Sequence, residues 1–314
     1  MENGLAIQVK ALDRKFTEVH AVKEVSFNVE SGEIFSLLGP NGAGKTTTIS
    51  MLSCLLKPDG GDAFVMGHSI LGDPHGVKSS IGVVPQEIAL YEDLSARENL
   101  EFWGKMYSLQ GAILKTRVDE VLELIGLTER QKGRLEKFSG GMKRRVNIGV
   151  ALLHTPDVII MDEPTAGIDP QSRRHILDGV KTLNKQGVTV LYTTHYMEEA
   201  QELSNHIAIM DHGDLIAMGT HAELVQIVGE QDRIDLQLSQ DLPSLLERWQ
   251  GIKGVNNVMV EDGSVCVLAD DSNRVLPPLF EVAIDEDVRI TSVEIQEPNL
   301  ETVFLHLTGR ALRD

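Results

Sequence analysis

Nine residues, Gly39-Pro40-Asn41-Gly42-Ala43-Gly44-Lys45-Thr46-Thr47, constrain this chain more than any other stretch. They satisfy the pattern GxxxxGK[ST] at every fixed position. The apolar run Ile34-Phe35-Ser36-Leu37-Leu38 precedes them and reads as a buried strand, and a helical run from Thr46 to Leu56 follows. Strand, loop and helix in that order are the geometry a bound phosphate needs. Glycines let the backbone bend so that successive N–H groups face one anion, and the helix N-terminus adds its positive end. Lys45 supplies a mobile charge for the outer phosphates, and the Thr46 hydroxyl can ligate Mg²⁺. The stretch predicts a nucleoside triphosphate site. What the bound nucleotide is used for must come from other residues.

At 314 residues the chain is long enough for two domains. The net charge of −18, from 29 basic and 47 acidic residues, argues against a general nucleic-acid binder. Cys54 and Cys266 are far apart and form no CxxC pair, which fits two buried thiols in a reducing compartment. Met1–Lys10 carries no secretory signal pattern. No apolar run approaches the ~20 residues of a membrane helix. Any membrane role is therefore expected at the surface or through a partner.

Ahead of the loop, Ile7 and Val9, then Val22 to Val29, alternate as short strands with a turn near Asp13-Arg14. Phe16 sits among polar residues in that turn, where an aromatic either stacks on a nucleobase or belongs to a small satellite cluster. Strands are predicted at Ala63–Met66 and Ile81–Val84, and the second ends at Pro85-Gln86. The Gln86 amide can ligate a metal or donate a hydrogen bond. Helical patterning covers Ala89 to Lys137, with a capping box at Ser95-Ala96-Arg97-Glu98, a second helix opening at Thr116, and a stop at Gly126.

Phe138-Ser139-Gly140-Gly141-Met142 then opens another helix. It reads as a capped helix start or as a second anion nest. Lys143, Arg144 and Arg145 follow at the wrong end for the helix dipole, which calls for acids or an arriving anion. Val158 to Glu163 is an apolar strand ending in two acids, Asp162 and Glu163. With a phosphate loop upstream, Asp162 suits a metal shell and Glu163 suits proton removal from water. Asp169-Pro170 reads as the N-cap and first residue of a helix to about Gln186. The strand Val188 to Thr194 ends at His195, where ligands bind in α/β sheets. From about Gly229 the composition turns acidic, with 16 acidic and 7 basic residues over 231–314. The β-α-β-β-α-β pattern there suggests a ferredoxin-like sandwich, with a hairpin around Asp262-Gly263. Nothing in it reads as catalytic.

Taken in order, these motifs resemble the nucleotide-binding domain of ABC transporters over residues 5–225. Gly39–Thr46 matches Walker A, Gln86 the Q-loop, Phe138–Met142 the signature, Val158–Glu163 Walker B, Gly167-Ile168-Asp169 the D-loop, and His195 the switch histidine. The signature departs from Leu-Ser-Gly-Gly-Gln at both ends, and Met142 cannot offer a glutamine amide. With the Met variant, the stretch Glu297 to Arg310 is similar to the ABC-2 export group, which includes antibiotic-resistance and sodium-efflux ATPases.

The resemblance implies an α/β P-loop NTPase fold, with a mixed central sheet, an antiparallel β subdomain and a helical subdomain at about 88–155. A domain at 1–228 would be followed by an α+β accessory domain at 229–314. It implies a head-to-tail homodimer that hydrolyses ATP with Mg²⁺ and works with a separate membrane permease on the cytoplasmic face, with no nucleic-acid partner. Lys45, the loop residues Gly39, Pro40, Asn41, Gly42, Ala43, Gly44, Thr46 and Thr47, and Phe16 against adenine would bind ATP. Thr46, Gln86 and Asp162 would hold Mg²⁺. Glu163 would polarise water and His195 would contact the γ-phosphate. Ser139, Gly140, Gly141 and Asp169 would act across the dimer. The rival expectation is a soluble ABC ATPase uncoupled from any membrane protein.

Overall fold

The computed structural model describes residues 4–227, 232–239, 243–261, 264–296 and 299–308. It divides into two compact units at Thr220/His221. The first is built on a six-stranded sheet. Its spatial order is Asp214–Gly219, His206–Asp211, Ile34–Leu38, Thr189–Thr194, Val158–Asp162 and Ile81–Val84. Asp214–Gly219 pairs antiparallel and every other neighbour pairs parallel. The three central strands are buried along their whole length. Parallel strands need both faces covered, and their unbroken apolar sequences reflect that.

Register is what assembles the site. Leu38 lies opposite Thr194, and Asp162 lies opposite Thr193. Three adjacent strands therefore end together, and the residues after them (Gly39, Glu163 and His195) emerge side by side at one sheet edge. A sheet of four antiparallel strands, in the order His20–Glu30, Leu5–Lys15, Gly60–Val65 and His68–Ser69, forms the second layer. Its first two strands are 11 residues each, so they run on past Asp13-Arg14. The turn falls instead at Phe16–Val19, closed by mutual backbone hydrogen bonds of 2.8 and 3.2 Å. The inward residues Leu12 and Val22 keep the pairing alive beyond the polar pair that suggested a turn.

The helical lobe holds Ala96–Met106, Gly111–Leu124 and Gly140–Leu152. The capping box at Ser95 and Glu98 forms as predicted. The second helix starts at Gly111, ahead of the predicted Thr116, because Leu114 is already a buried contact of its inner face. Leu100, Val118, Val121, Leu122, Val146 and Ile148 join one core with strand residues Val84, Ile159 and Met161.

The second unit carries Asp232–Leu238, Pro243–Gln250, Val255–Glu261, Ser264–Ala269, Ser272–Asp285 and Ile290–Gln296. All strand pairs are antiparallel, with Asp232–Leu238 between Ser264–Ala269 and Ile290–Gln296. That is the split β-α-β order of a ferredoxin-like sandwich. Leu236, Leu245, Trp249, Val267 and Leu279 fill its core, and Trp249 Nε1 donates to Leu279 O. Helix His221–Ile227 belongs to this unit and meets Leu300–Thr308. Strands Val255–Glu261 and Ser264–Ala269 form the expected hairpin, but its tip, Asp262-Gly263, lies outside the described residues, as do Glu297-Pro298 and Gly309-Arg310.

Candidate nucleotide site

Leu38 delivers the chain into a loop that is clamped from behind. A Cβ on Gly39 would sit 2.2 Å from Met210 O, and one on Gly44 would sit 2.4 Å from Ala21 O with φ at +106°. Two of the loop's glycines are therefore required by neighbouring strands as well as by any phosphate. Gly44 is the N-cap of the helix Lys45–Leu52, and its carbonyl accepts from the Thr48 hydroxyl at 2.9 Å. A cleft of about 460 Å³ opens over this turn. Phe16, Asn41, Gly42, Ala43, Gly44, Lys45, Thr46, Thr47, Gln86 and Glu163 line it.

Lys45 is only 4% exposed. Its Nζ donates to Gly39 O at 2.6 Å and Pro40 O at 3.0 Å, and it lies 3.0 Å from Glu163 Oε1. The other Glu163 oxygen lies 3.0 Å from His195 Nδ1. The lysine, the acid and the histidine thus form one chain of charge-assisted contacts under the loop. Glu163 has φ +43°, a strained conformation for a non-glycine residue that costs roughly 1–3 kcal/mol. Its N–H is held by Thr193 O at 3.2 Å and Thr193 Oγ1 at 3.0 Å. The Thr193 hydroxyl in turn donates to Asp162 Oδ1 at 2.7 Å. Strain over-determined by its neighbours at a strand end is what aims the Glu163 side chain into the cleft.

Phe16, Gln86, Glu163 and the loop residues Asn41 to Thr47 therefore line one cleft, while Gly39 and Pro40 bond to Lys45, Asp162 bonds to Thr193 and His195 bonds to Glu163 behind it. Ser139, Gly140, Gly141 and Asp169 do not line this cleft. They lie where two helix starts approach each other, with Gly141 facing Ser172 and Asp169 and Gly140 facing Ile168. Ser139 caps Gly140–Leu152 through Met142 N, and Asp169 caps Pro170–Lys185 through Ser172 N at 2.9 Å. That backbone bond holds the Asp169 carboxyl below its usual range. A Cβ on Gly141 would fall 2.1 Å from Ser172 Oγ and 2.2 Å from Ser172 Cβ. Gly141→Ala should consequently lower stability by about 1–3 kcal/mol, read as a denaturant midpoint. Gly141→Ala with Ser172→Gly should recover most of the loss. A Gly141→Ala chain of unchanged stability rules out the close approach.

The basic run after the signature is resolved differently from expectation. Lys143 pairs with Glu92 at 2.6 Å, but Arg144 and Arg145 bond to carbonyls rather than acids. Arg144 donates to Pro85 O at 2.7 Å and Gln86 O at 2.5 Å, and burial pushes its pKa down. Three residues escaped the sequence reading, and a fourth, Arg144, was singled out there without its carbonyl partners. Thr193 holds both acids, and Arg144 ties the signature helix to the segment carrying Gln86. Glu199 and Arg173 sit behind the switch segments. The one available signal was the polar end of an otherwise buried strand, Tyr192-Thr193-Thr194, where hydroxyls must find partners.

Relatives over nearly the whole chain decide the family. The family model described as ABC transporter matches residues 22–166. The linearmycin resistance ATP-binding protein of Bacillus subtilis (strain 168) is 48% identical over 98% of this chain and 100% of its own length. The chain belongs to the ABC transporter ATP-binding family. The doxorubicin resistance ATP-binding protein of Mycobacterium tuberculosis (strain CDC 1551 / Oshkosh) is 37% identical over 98% of this chain and 94% of its own. A dimeric ATP-binding cassette in a post-hydrolysis state, bound to ADP and phosphate, superposes with a TM-score of 0.62 at 28% identity, over 68% of this chain and 98% of that one. This ABC protein is an ATP-hydrolysing transport subunit of the P-loop NTPase fold. Among the described residues no helix is long and apolar enough to cross a membrane.

Proposed function

We propose that this chain is the ATPase of an exporter that carries small resistance-type compounds through a separate membrane permease. The observation that carries this reading is the end-to-end match to resistance ATP-binding proteins, which runs through the second unit as well as the ATPase unit. The same full-length match speaks against a soluble ATPase uncoupled from transport. The chain would act at the cytoplasmic face, with the lobe at about 88–155 meeting the permease. Tyr91, Phe102 and Met106 leave an exposed apolar strip on that lobe, and Tyr91 and Phe102 stand edge to face at 4.9 Å.

Two copies would pair head to tail, each placing Ser139, Gly140 and Gly141 over the other's cleft. The separation of those residues from their own cleft supports this. Thr46, Gln86 and Asp162 offer the hard oxygen donors that suit Mg²⁺, and Thr46 and Gln86 both face the cleft. The ion would supply charge neutralisation at the phosphates. Lys45 and the loop amides hold the outer phosphates, and Phe16 presents a ring to adenine. Glu163 draws the proton from water, with His195 steadying it from the other side.

The reading is tested by purifying the tagged chain from detergent-solubilised membranes of its own cells and identifying any membrane protein that it retains. Mg-ATP turnover by the chain, and its co-purification with a polytopic membrane protein, are the expected results. An active ATPase that retains no membrane protein overturns the transport assignment, and absence of turnover overturns the enzymatic one.

A further inference from the structure

We propose that Glu199 is a positioning residue that ties the D-loop segment to the His195 segment, so that its carboxylate governs turnover without governing ATP affinity. The proposal rests on the functional reading above. Glu199 lies in the helix Met197–Leu203 and is 3% exposed. Among the described residues, none of its hydrogen-bond or ion-pair partners lines the cleft. One of its oxygens, Oε2, accepts from the hydroxyls of Thr165 at 2.9 Å, Tyr192 at 2.9 Å and Thr194 at 3.0 Å. Thr165 follows Glu163-Pro164 and stands two residues ahead of the D-loop Gly167-Ile168-Asp169. Thr194 immediately precedes His195.

The arrangement closes on itself around the histidine. The Thr194 hydroxyl gives its proton to Glu199 and accepts the Tyr196 N–H at 2.9 Å. His195 is therefore bracketed by two residues whose positions one carboxylate sets. The second Glu199 oxygen faces Arg173 Nε at 3.5 Å. Arg173 stands in the first turn of the helix capped by Asp169, and its guanidinium lies 4.3 Å over the Tyr196 ring. That ring is 4.0 Å from the His195 imidazole. Each path from Glu199 thus ends beside Glu163, His195 or Asp169.

A buried carboxylate is a poor choice for packing alone, because an apolar residue of similar size avoids its desolvation. It is a good choice where hydroxyls on separate segments must be held to one point. An acceptor with several lone pairs can bond all of them at once, and no aliphatic side chain can. Glu199 fits that requirement: the segment leading into the D-loop, through Thr165, and the strand end before His195, through Tyr192 and Thr194, are bonded to the same atom. Tyr192 reflects the same environment, since burial, and then the Glu199 charge, push its phenol well above the usual range.

Steady-state ATP hydrolysis by purified full-length chains tests the idea. Glu199→Ala should lower kcat about tenfold with KM for ATP within about twofold, since displaced positioning groups cost turnover rather than binding. Thr194→Val should reproduce the loss, and adding it to Glu199→Ala should lower kcat no further. Glu199→Gln keeps an acceptor oxygen but loses the charge facing Arg173, and it should fall between wild type and Glu199→Ala. Should Glu199→Ala fail to fold, Glu199→Gln and Thr194→Val carry the test on their own. Wild-type kcat in the folded variants, a matching rise in KM, or additive losses in the double variant each overturn the proposal. A wild-type chain without turnover sinks the functional reading itself, whereas an active wild type with unaltered variants sinks only the role of Glu199.

Discussion

Glu163→Gln should bind ATP with undiminished affinity and turn it over at least ~100-fold more slowly, the range expected for loss of a general base. The substitution is isosteric, so the strained backbone at φ +43° and the Thr193 contacts that hold it need not change. What changes is the charge. The carboxylate lies 3.0 Å from Lys45 Nζ and 3.0 Å from His195 Nδ1, and a glutamine can neither accept a proton from water nor balance the lysine. Lys45 keeps the Gly39 and Pro40 carbonyls and has more freedom to turn toward phosphate. ATP binding is therefore expected to survive or improve, and the ATP-bound dimer should accumulate. Equilibrium nucleotide titration, single-turnover hydrolysis and size-exclusion chromatography with Mg-ATP read the three parts separately. Full hydrolysis by Glu163→Gln would remove the residue from its assigned role.

The second large effect concerns the composite site. Chains carrying Lys45→Ala and chains carrying Ser139→Arg should each be inactive as homodimers, because every site then has a damaged half. Mixed together, they should regain activity. In a head-to-tail dimer both lesions can fall in one site, which leaves the other with an intact loop and an intact signature. Random exchange restores roughly a quarter of the wild-type sites. If each chain instead completed its own site, no mixture could recover, since every chain carries a lesion. The experiment thus separates two arrangements by presence or absence of activity. Its structural basis is that Ser139 and Gly141 meet Met142 and Ser172 of their own chain and do not line the cleft over Lys45.

The core of the site was legible in the sequence because each part has a local cause. A glycine loop between strand and helix, two acids closing an apolar strand, and a histidine closing the next one are all written in consecutive residues. So are the caps at Ser95, Ser139 and Asp169, which form as expected. What escaped was set by register and by long-range contact. Thr193 holds Glu163 only because the two strands pair with Asp162 opposite Thr193. Arg144 reaches Pro85 and Gln86 across almost sixty positions of sequence, which no periodicity encodes. The early turn was misplaced for a similar reason. Asp13-Arg14 looks like a turn in isolation, yet His20 Nε2 lies 2.6 Å from Asp13 and Asp59 holds Arg14 at 2.8 Å, so both polar residues are satisfied within a longer hairpin.

The Arg144 tether has a consequence for cooperativity. One buried guanidinium grips two consecutive carbonyls beside Gln86 while belonging to the helix that Ser139 caps. A planar fork bonded to two acceptors resists rotation as well as translation. The Gln86 segment and the signature of one chain therefore move as a single body. In the proposed dimer the first belongs to one cleft and the second to the other. Occupancy of either cleft is then felt by both, and ATP dependence of turnover should be sigmoidal rather than hyperbolic.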